Sequence, residues 1–120
     1  MDCSAVNHLP DRAAVQQAMM SALERVDNLI AGSKGFISTF SGDTLKLVVL
    51  PEYFLTGFPM GERIDAWRSK ACIEIDGPEY RRLGELASSR GVYISGNAYE
   101  LDPHFPNLYF QTSFIINDEG

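Results

Sequence analysis

The fold is decided by residues 45–59, which read LKLVVLPEYFLTGFP. The first six residues are almost continuously apolar, which is typical of a strand that is covered on both faces. The run ends abruptly at Pro51 and Glu52, where a loop rich in aromatic residues begins. Polar groups beyond the carboxyl ends of strands are common in α/β active sites. Glu52 is therefore the first candidate for chemistry. Its apolar neighbours are expected to desolvate it partly, and desolvation makes a carboxylate a better base near neutral pH.

Helical and strand patterns alternate on either side of this stretch. Apolar residues at spacings of three and four predict a helix over residues 11–31, with Asp11 as N-cap and Gly32 as its end. Residues 36–44 are expected to form a surface excursion or a small extra strand. Further patterns predict a short helix, a longer helix and two strands, at 61–69, 77–91, 92–99 and 108–116. This order predicts an α/β layered domain.

Composition excludes several classes of protein. The 120 residues carry a net charge of −6, and an acidic domain is a poor nucleic-acid binder. Apolar runs reach about four residues, far short of a membrane span. The first residues lack the basic and apolar regions of a signal peptide. The two cysteines, Cys3 and Cys72, form no disulfide framework, so a cytoplasmic location is expected.

Several catalytic signatures are missing from the sequence. There is no GxGxxG, P-loop, HExxH, GxSxG or CxxC motif. The two histidines, His8 and His104, lie far apart, and no set of zinc ligands can be assembled from the sequence. Judged by pattern alone, Glu52 is more simply explained as a solvated residue at a strand end than as a catalytic group.

The stretch 47–59 resembles the first catalytic motif of the nitrilase superfamily, the carbon–nitrogen hydrolases. In that family an apolar strand runs into Pro-Glu, an aromatic pair and a Thr-Gly turn. The rest of the chain follows the family's order, with the helix start at Gly77-Pro78 and the strand 91–96. Residues 107–116 resemble the family's Tyr-Asn-Thr strand, with Gln111 where Asn is usual. The match departs from the family at residues 36–44, which are longer than the usual link.

The resemblance implies a fold, an activity and a site. The fold is a four-layer α-β-β-α sandwich, and the enzyme is a homo-oligomer without metal or organic cofactor. It hydrolyses a small-molecule amide or nitrile through a Glu-Lys-Cys triad, in which Glu52 is the catalytic general base. Tyr53 and Phe54 are candidates to bind substrate, although an aromatic core role is equally compatible with their pattern.

The resemblance also implies that the chain is incomplete. Residues 1–120 align with the N-terminal portion of a single hydrolase domain, truncated at both ends, and the family's Lys and Cys fall beyond Gly120. The chain alone is therefore expected to be inactive. Cys3 and Cys72 are more simply explained as small buried or half-buried residues than as nucleophiles, and Lys46 and Lys70 as solvated or snorkelling side chains.

Three other interpretations remain open. The chain is alternatively a non-catalytic α/β interaction module, with Glu52 as a solubilising group and the aromatic loop as a partner surface. It is alternatively a decayed gene fragment. Within the superfamily, acyl transfer to an amine in place of water is not distinguished from hydrolysis by these residues.

Overall fold

The computed structural model describes residues 5–120, and the expectations for Met1–Ser4, including Cys3, lie outside the described residues. Three helices and four strands alternate along the described chain. They are α1 (Arg12–Ser41), β1 (Leu47–Val49), α2 (Ile64–Ala71), β2 (Ile73–Glu74), α3 (Pro78–Arg90), β3 (Tyr93–Leu101) and β4 (Phe110–Ile116). The α/β class predicted from the sequence is therefore confirmed. No helix among these residues has both the length and the apolar character needed to cross a membrane.

The first helix begins where its cap predicts and ends ten residues later than expected. Asp11 accepts a hydrogen bond from the Ala14 N–H at 2.9 Å, as an N-cap does. The predicted end at Gly32 is wrong, because the helix continues through residues 36–41 and ends at Gly42, whose φ is +73°. Gly32 and Gly35 both lie inside this helix, and each costs only about 1 kcal/mol. The half-buried Ile37 extends the apolar stripe past both glycines and counters this cost. The predicted excursion or extra strand at 36–44 is absent for the same reason.

The other elements lie close to their predicted positions. Helix α3 begins with Pro78 in its first turn and ends at Gly91, which has φ +61° and donates to the helix's last carbonyls. Helix α2 is shifted slightly from the predicted 61–69. The two-residue strand β2 was not predicted, since it is too short to show a period.

Strand β3 is the centre of the sheet. It pairs in parallel with β1 through residues 93–95 and with β2 through residues 100–101. It pairs antiparallel with β4 through residues 94–100. Ile94 is paired with both Val48 and Ile116, and Glu100 with both Ile73 and Phe110. Strands β1 and β2 therefore share one edge of β3, and β4 occupies the other.

Helix α3 packs on one face of this sheet. Ile94 and Ala98 are buried on that face, and the Tyr80 ring of α3 meets Phe114 of β4 edge-to-face at 5.3 Å. Paired strand residues point to the same side, so Leu47 and Tyr93 share the opposite face, as do Val49 and Ile115. We call these four residues the bare face, because they are 54%, 43%, 71% and 72% exposed respectively. The expectation that β1 is covered on both faces is therefore wrong for the described residues.

Candidate active site

Glu52 lies directly beyond the carboxyl end of β1. The preceding Leu50 is buried and donates its N–H to the Ser95 carbonyl of β3 at 2.8 Å, one step past the regular pairing. Pro51 then breaks the strand, because it has no N–H to continue the ladder. Glu52 follows as an exposed residue at the start of a turn. The expected partial desolvation of Glu52 is therefore wrong for the described chain. The apolar residues that follow it turn inward and leave its carboxylate in water.

The turn after Glu52 is tightly bonded. The Tyr53 carbonyl accepts from the N–H groups of Thr56 at 3.1 Å and Gly57 at 2.8 Å. Tyr53 has φ +50°, in the left-handed region that residues other than glycine rarely occupy. Its own N–H donates to Oδ1 of Asn97 on β3 at 2.7 Å. The turn is therefore attached to the centre of the sheet by a side chain as well as by backbone.

An aromatic cluster fills the space beneath the turn. The Tyr53 ring stacks on Tyr99 with centroids 4.6 Å apart and planes 12° from parallel, and it meets Phe58 edge-on at 4.6 Å. Trp67 and Tyr109 pack edge-on against Tyr99 from α2 and from the residues before β4. Burial raises the pKa of the Tyr99 hydroxyl, and the neighbouring Tyr53 raises it further. Tyr99 is therefore a neutral hydroxyl at physiological pH.

The two predicted substrate-binding residues are both buried. Tyr53 is 5% exposed and Phe54 is 2% exposed, so each is part of the core of the described chain. Phe54 also lines a cavity of about 310 Å³, together with His8, Ser21 and Arg25. Glu52, Tyr53 and Phe54 are held together by one turn, although only Glu52 presents its side chain to solvent.

The cysteine and lysines considered in the sequence analysis lie in positions that do not point to catalysis. Cys72 is fully buried, as expected, and burial raises the pKa of its thiol to about 12. Lys46 is exposed. The solvated role expected for Lys70 is wrong, because its Nζ contacts Glu62 at 2.6 Å and donates to the carbonyls of Asn7 and Leu9. Lys70 thus ties α2 to the start of the described chain.

Asn97 was not among the residues selected from the sequence. Asparagine is depleted in strands, so an asparagine in the middle of a predicted strand was the sequence feature that could have identified it. His104 lies on the exposed connection between β3 and β4, where it contacts Asp102 at 2.9 Å. Within residues 5–120 no three His, Cys, Asp or Glu side chains are grouped so that they could hold a metal ion.

The chain belongs to the carbon–nitrogen hydrolase family, whose model matches residues 10–120. It is 30% identical to nitrilase 2 of Arabidopsis thaliana over 123 aligned positions, which cover 91% of this chain and 35% of that protein. It is 31% identical to nitrilase 3 of the same plant over 99 positions, covering 71% of this chain and 28% of that protein. The chain thus spans about a third of the length of the curated relatives it matches. The resemblance seen in the sequence is confirmed.

Proposed function

We propose that residues 1–120 are the N-terminal portion of a hydrolase that acts on a small-molecule amide or nitrile through a Glu-Lys-Cys triad. Glu52 is the general base of that triad, and the Lys and Cys lie outside this chain. The observation that carries the proposal is the position of Glu52. Its exposed carboxylate stands at the carboxyl end of a strand, on a turn bonded to the central strand of the sheet. The nitrilases it resembles support the same class of reaction.

In the proposed mechanism, this chain supplies Glu52, and the Lys and Cys come from outside it. The Cys thiolate attacks the carbonyl or nitrile carbon after Glu52 has taken its proton. For an amide, Glu52 returns that proton to the nitrogen, the C–N bond breaks, and the amine leaves a thioester behind. For a nitrile, the proton goes to the nitrogen of a thioimidate, which one water converts to the thioester with release of ammonia. Glu52 then activates the water that hydrolyses the thioester to the acid and the free thiol. The Lys stabilises the negative charge that develops during the attack. Tyr53 and Phe54 are assigned to the wall of the substrate pocket, which they support from the buried side of the turn.

Cys72, the one cysteine among residues 5–120, does not substitute for the missing nucleophile. Cys72 is fully buried, and its thiol pKa of about 12 leaves almost no thiolate at neutral pH. Purified residues 1–120 are therefore expected to show no turnover. The assembled enzyme is proposed to be a homo-oligomer that needs no metal or organic cofactor, as the resemblance implies. A cytoplasmic location is proposed from the cysteine content, since two cysteines form no disulfide framework.

The test uses the longest gene product that contains this chain, assayed on a panel of amides and nitriles. Glu52→Gln keeps the side chain's shape but removes its basicity, and it is expected to lower kcat by at least about a thousandfold. Intact-protein mass spectrometry is expected to show no acyl-enzyme in that variant. Glu119→Gln, an exposed carboxylate elsewhere in the chain, is the matched control and should leave kcat unchanged.

Two outcomes contradict the proposal. Near wild-type turnover by Glu52→Gln removes Glu52 from the mechanism, and turnover by purified residues 1–120 shows that no further residues are needed. A gene product that turns over no amide or nitrile favours the alternative, a non-catalytic interaction module. Release of an acyl-amine instead of an acid identifies acyl transfer.

A further inference from the structure

Two bonds to β3 hold the segment that contains Glu52, one on each side of it. On the near side, the Leu50 N–H donates to the Ser95 carbonyl at 2.8 Å. On the far side, the Tyr53 N–H donates to Asn97 Oδ1 at 2.7 Å. Pro51 and Glu52 bridge these two points. We call these two hydrogen bonds the anchors of the segment. Because Ser95 and Asn97 are two residues apart in one strand, the distance between the anchors is fixed.

The second anchor is the only one of the two that depends on a side chain. Ser95 contributes its backbone carbonyl, which any residue supplies, whereas Asn97 contributes its amide oxygen. The bond also fixes which way the Asn97 amide is turned, since an N–H must face an oxygen. Asn97 is half-buried in the central strand, where it is paired with Ser113 of β4. On the other edge it lies between the residues paired with β1 and those paired with β2, so the strand is held on either side of it.

The backbone that Asn97 holds is strained. Tyr53 has φ +50°, a left-handed conformation that brings the Cβ of a residue other than glycine too close to the following carbonyl oxygen. Tyr53 is also the residue that follows Glu52, so a change in its backbone angles moves the peptide that carries the Glu52 side chain. Loss of the Asn97 bond leaves a half-buried N–H without its partner and removes one of the contacts that favour this conformation.

We propose that Asn97 is a positioning residue for Glu52, acting through the Tyr53 N–H. This inference rests on the proposed function, in which Glu52 is the base. Asn97 has no assigned contact with substrate, and its role is to fix where the carboxylate stands. A general base works only within hydrogen-bond distance of the proton it takes, and a shift of about 1 Å can cost a hundredfold in rate.

The experiment compares three variants in the longest gene product that contains this chain. Asn97→Ala removes the acceptor, Asn97→Asp keeps an oxygen at the same place, and Asn107→Ala is a control at an exposed asparagine between β3 and β4. Asn97→Ala is expected to lower kcat by about 10- to 100-fold with KM changed less than about threefold. Asn97→Asp is expected to restore most of the loss, and Asn107→Ala to have no effect.

A second measurement reports the bond itself. In the same gene product labelled with ¹⁵N, the Tyr53 amide proton is expected to resonate downfield in the wild type and in Asn97→Asp, and to move upfield in Asn97→Ala. If Asn97→Ala fails to fold, Asn97→Ser carries the same expectations, because its hydroxyl is too short to reach Tyr53. A residue that only stabilises the fold would change the free energy of unfolding without this selective effect on kcat.

The outcomes separate the inference from the proposed function. If Glu52→Gln abolishes turnover but Asn97→Ala leaves kcat within about threefold of wild type, the positioning role of Asn97 is wrong. The assignment of Glu52 as general base is then retained. The same conclusion follows if Asn97→Asp is as slow as Asn97→Ala although the Tyr53 amide resonance is unchanged. If Glu52→Gln retains full turnover, the proposed function fails, and with it any role for Asn97 in placing a base.

Discussion

Arg12 is predicted to stabilise the fold mainly because it compensates a buried carboxylate. Glu79 in the first turn of α3 is fully buried, and its Oε1 lies 3.4 Å from Arg12 Nη2 and 3.2 Å from Gln16 Nε2. Its Oε2 makes no hydrogen bond within the described residues. Arg12 also donates from Nη1 to the Cys72 carbonyl at 2.6 Å. One guanidinium therefore joins α1, the end of α2 and the start of α3.

The expected change in the free energy of unfolding depends on which charged or polar group each substitution leaves without a partner. Removing one partner of a buried ion pair costs about 3–5 kcal/mol, because the other charge stays buried without compensation. The Arg12 side chain is 36% exposed and its contact with Glu79 is long, so we expect the lower end for Arg12→Met, about 3 kcal/mol. Glu79→Gln removes the charge but keeps an acceptor, and is expected to cost about 1 kcal/mol. The double variant is expected to be more stable than Arg12→Met alone.

Equilibrium urea unfolding measures these free energies. Trp67 is the chain's single tryptophan and is fully buried against Tyr99, so its fluorescence reports loss of the core. Arg25→Met is the matched control. Arg25 is an exposed arginine of the same helix with no ion pair among residues 5–120, and its replacement should change stability by less than about 0.5 kcal/mol. If Arg12→Met costs less than about 1 kcal/mol, or if the effects of the two substitutions simply add, the buried-pair explanation is refuted.

Two further predictions concern a thiol and a surface ion pair. In a Cys3→Ser background, Cys72 is expected to resist a thiol-specific chromogenic reagent at about pH 8 until urea unfolds the chain, because burial raises its pKa to about 12. Rapid labelling of the folded chain would contradict its burial. A hydrogen bond from Arg90 at 2.7 Å lowers the pKa of Asp27 below 3.8, so its contribution to stability is fully present above 3.8 and is lost as the pH falls through the lowered pKa. Asp27→Asn is therefore expected to lower the urea midpoint more at about pH 7 than at about pH 2, and an equal deficit at both pH values would exclude this linkage.

The parts of the fold that the sequence predicts are those encoded by neighbouring residues. Asp11 caps its helix and Gly91 ends another because each acts on backbone groups within four positions of itself. Gly32 carries an equally visible stop signal, yet the helix passes through it. The packing of Ile37 outweighs the local preference there, and packing depends on residues that no local pattern identifies.

In the candidate site, too, local features were predictable from the sequence and long-range contacts were not. The Pro-Glu step identifies Glu52, since a strand end and its first polar residue are local features. The partners of Lys70 and Asn97 were not predictable, because Lys70 reaches back over 60 positions and Asn97 bonds a backbone group 44 positions away. Desolvation of Glu52 was expected from its apolar neighbours, but side chains in a turn point in different directions. Tyr53 and Phe54 turn into the core, and Glu52 points away from it.

The position of the Glu52 carboxylate and its desolvation therefore depend on different parts of the protein. The turn and its two bonds to β3 determine where the Glu52 carboxylate stands, and residues 5–120 contain everything needed for that. They leave the carboxylate exposed to water. The bare face, with Leu47, Val49, Tyr93 and Ile115 exposed, belongs to the same sheet whose strand β1 leads to Glu52. Desolvation of the base, which the sequence led us to expect, is therefore not supplied by residues 5–120, although these residues hold its position through Leu50 and Tyr53.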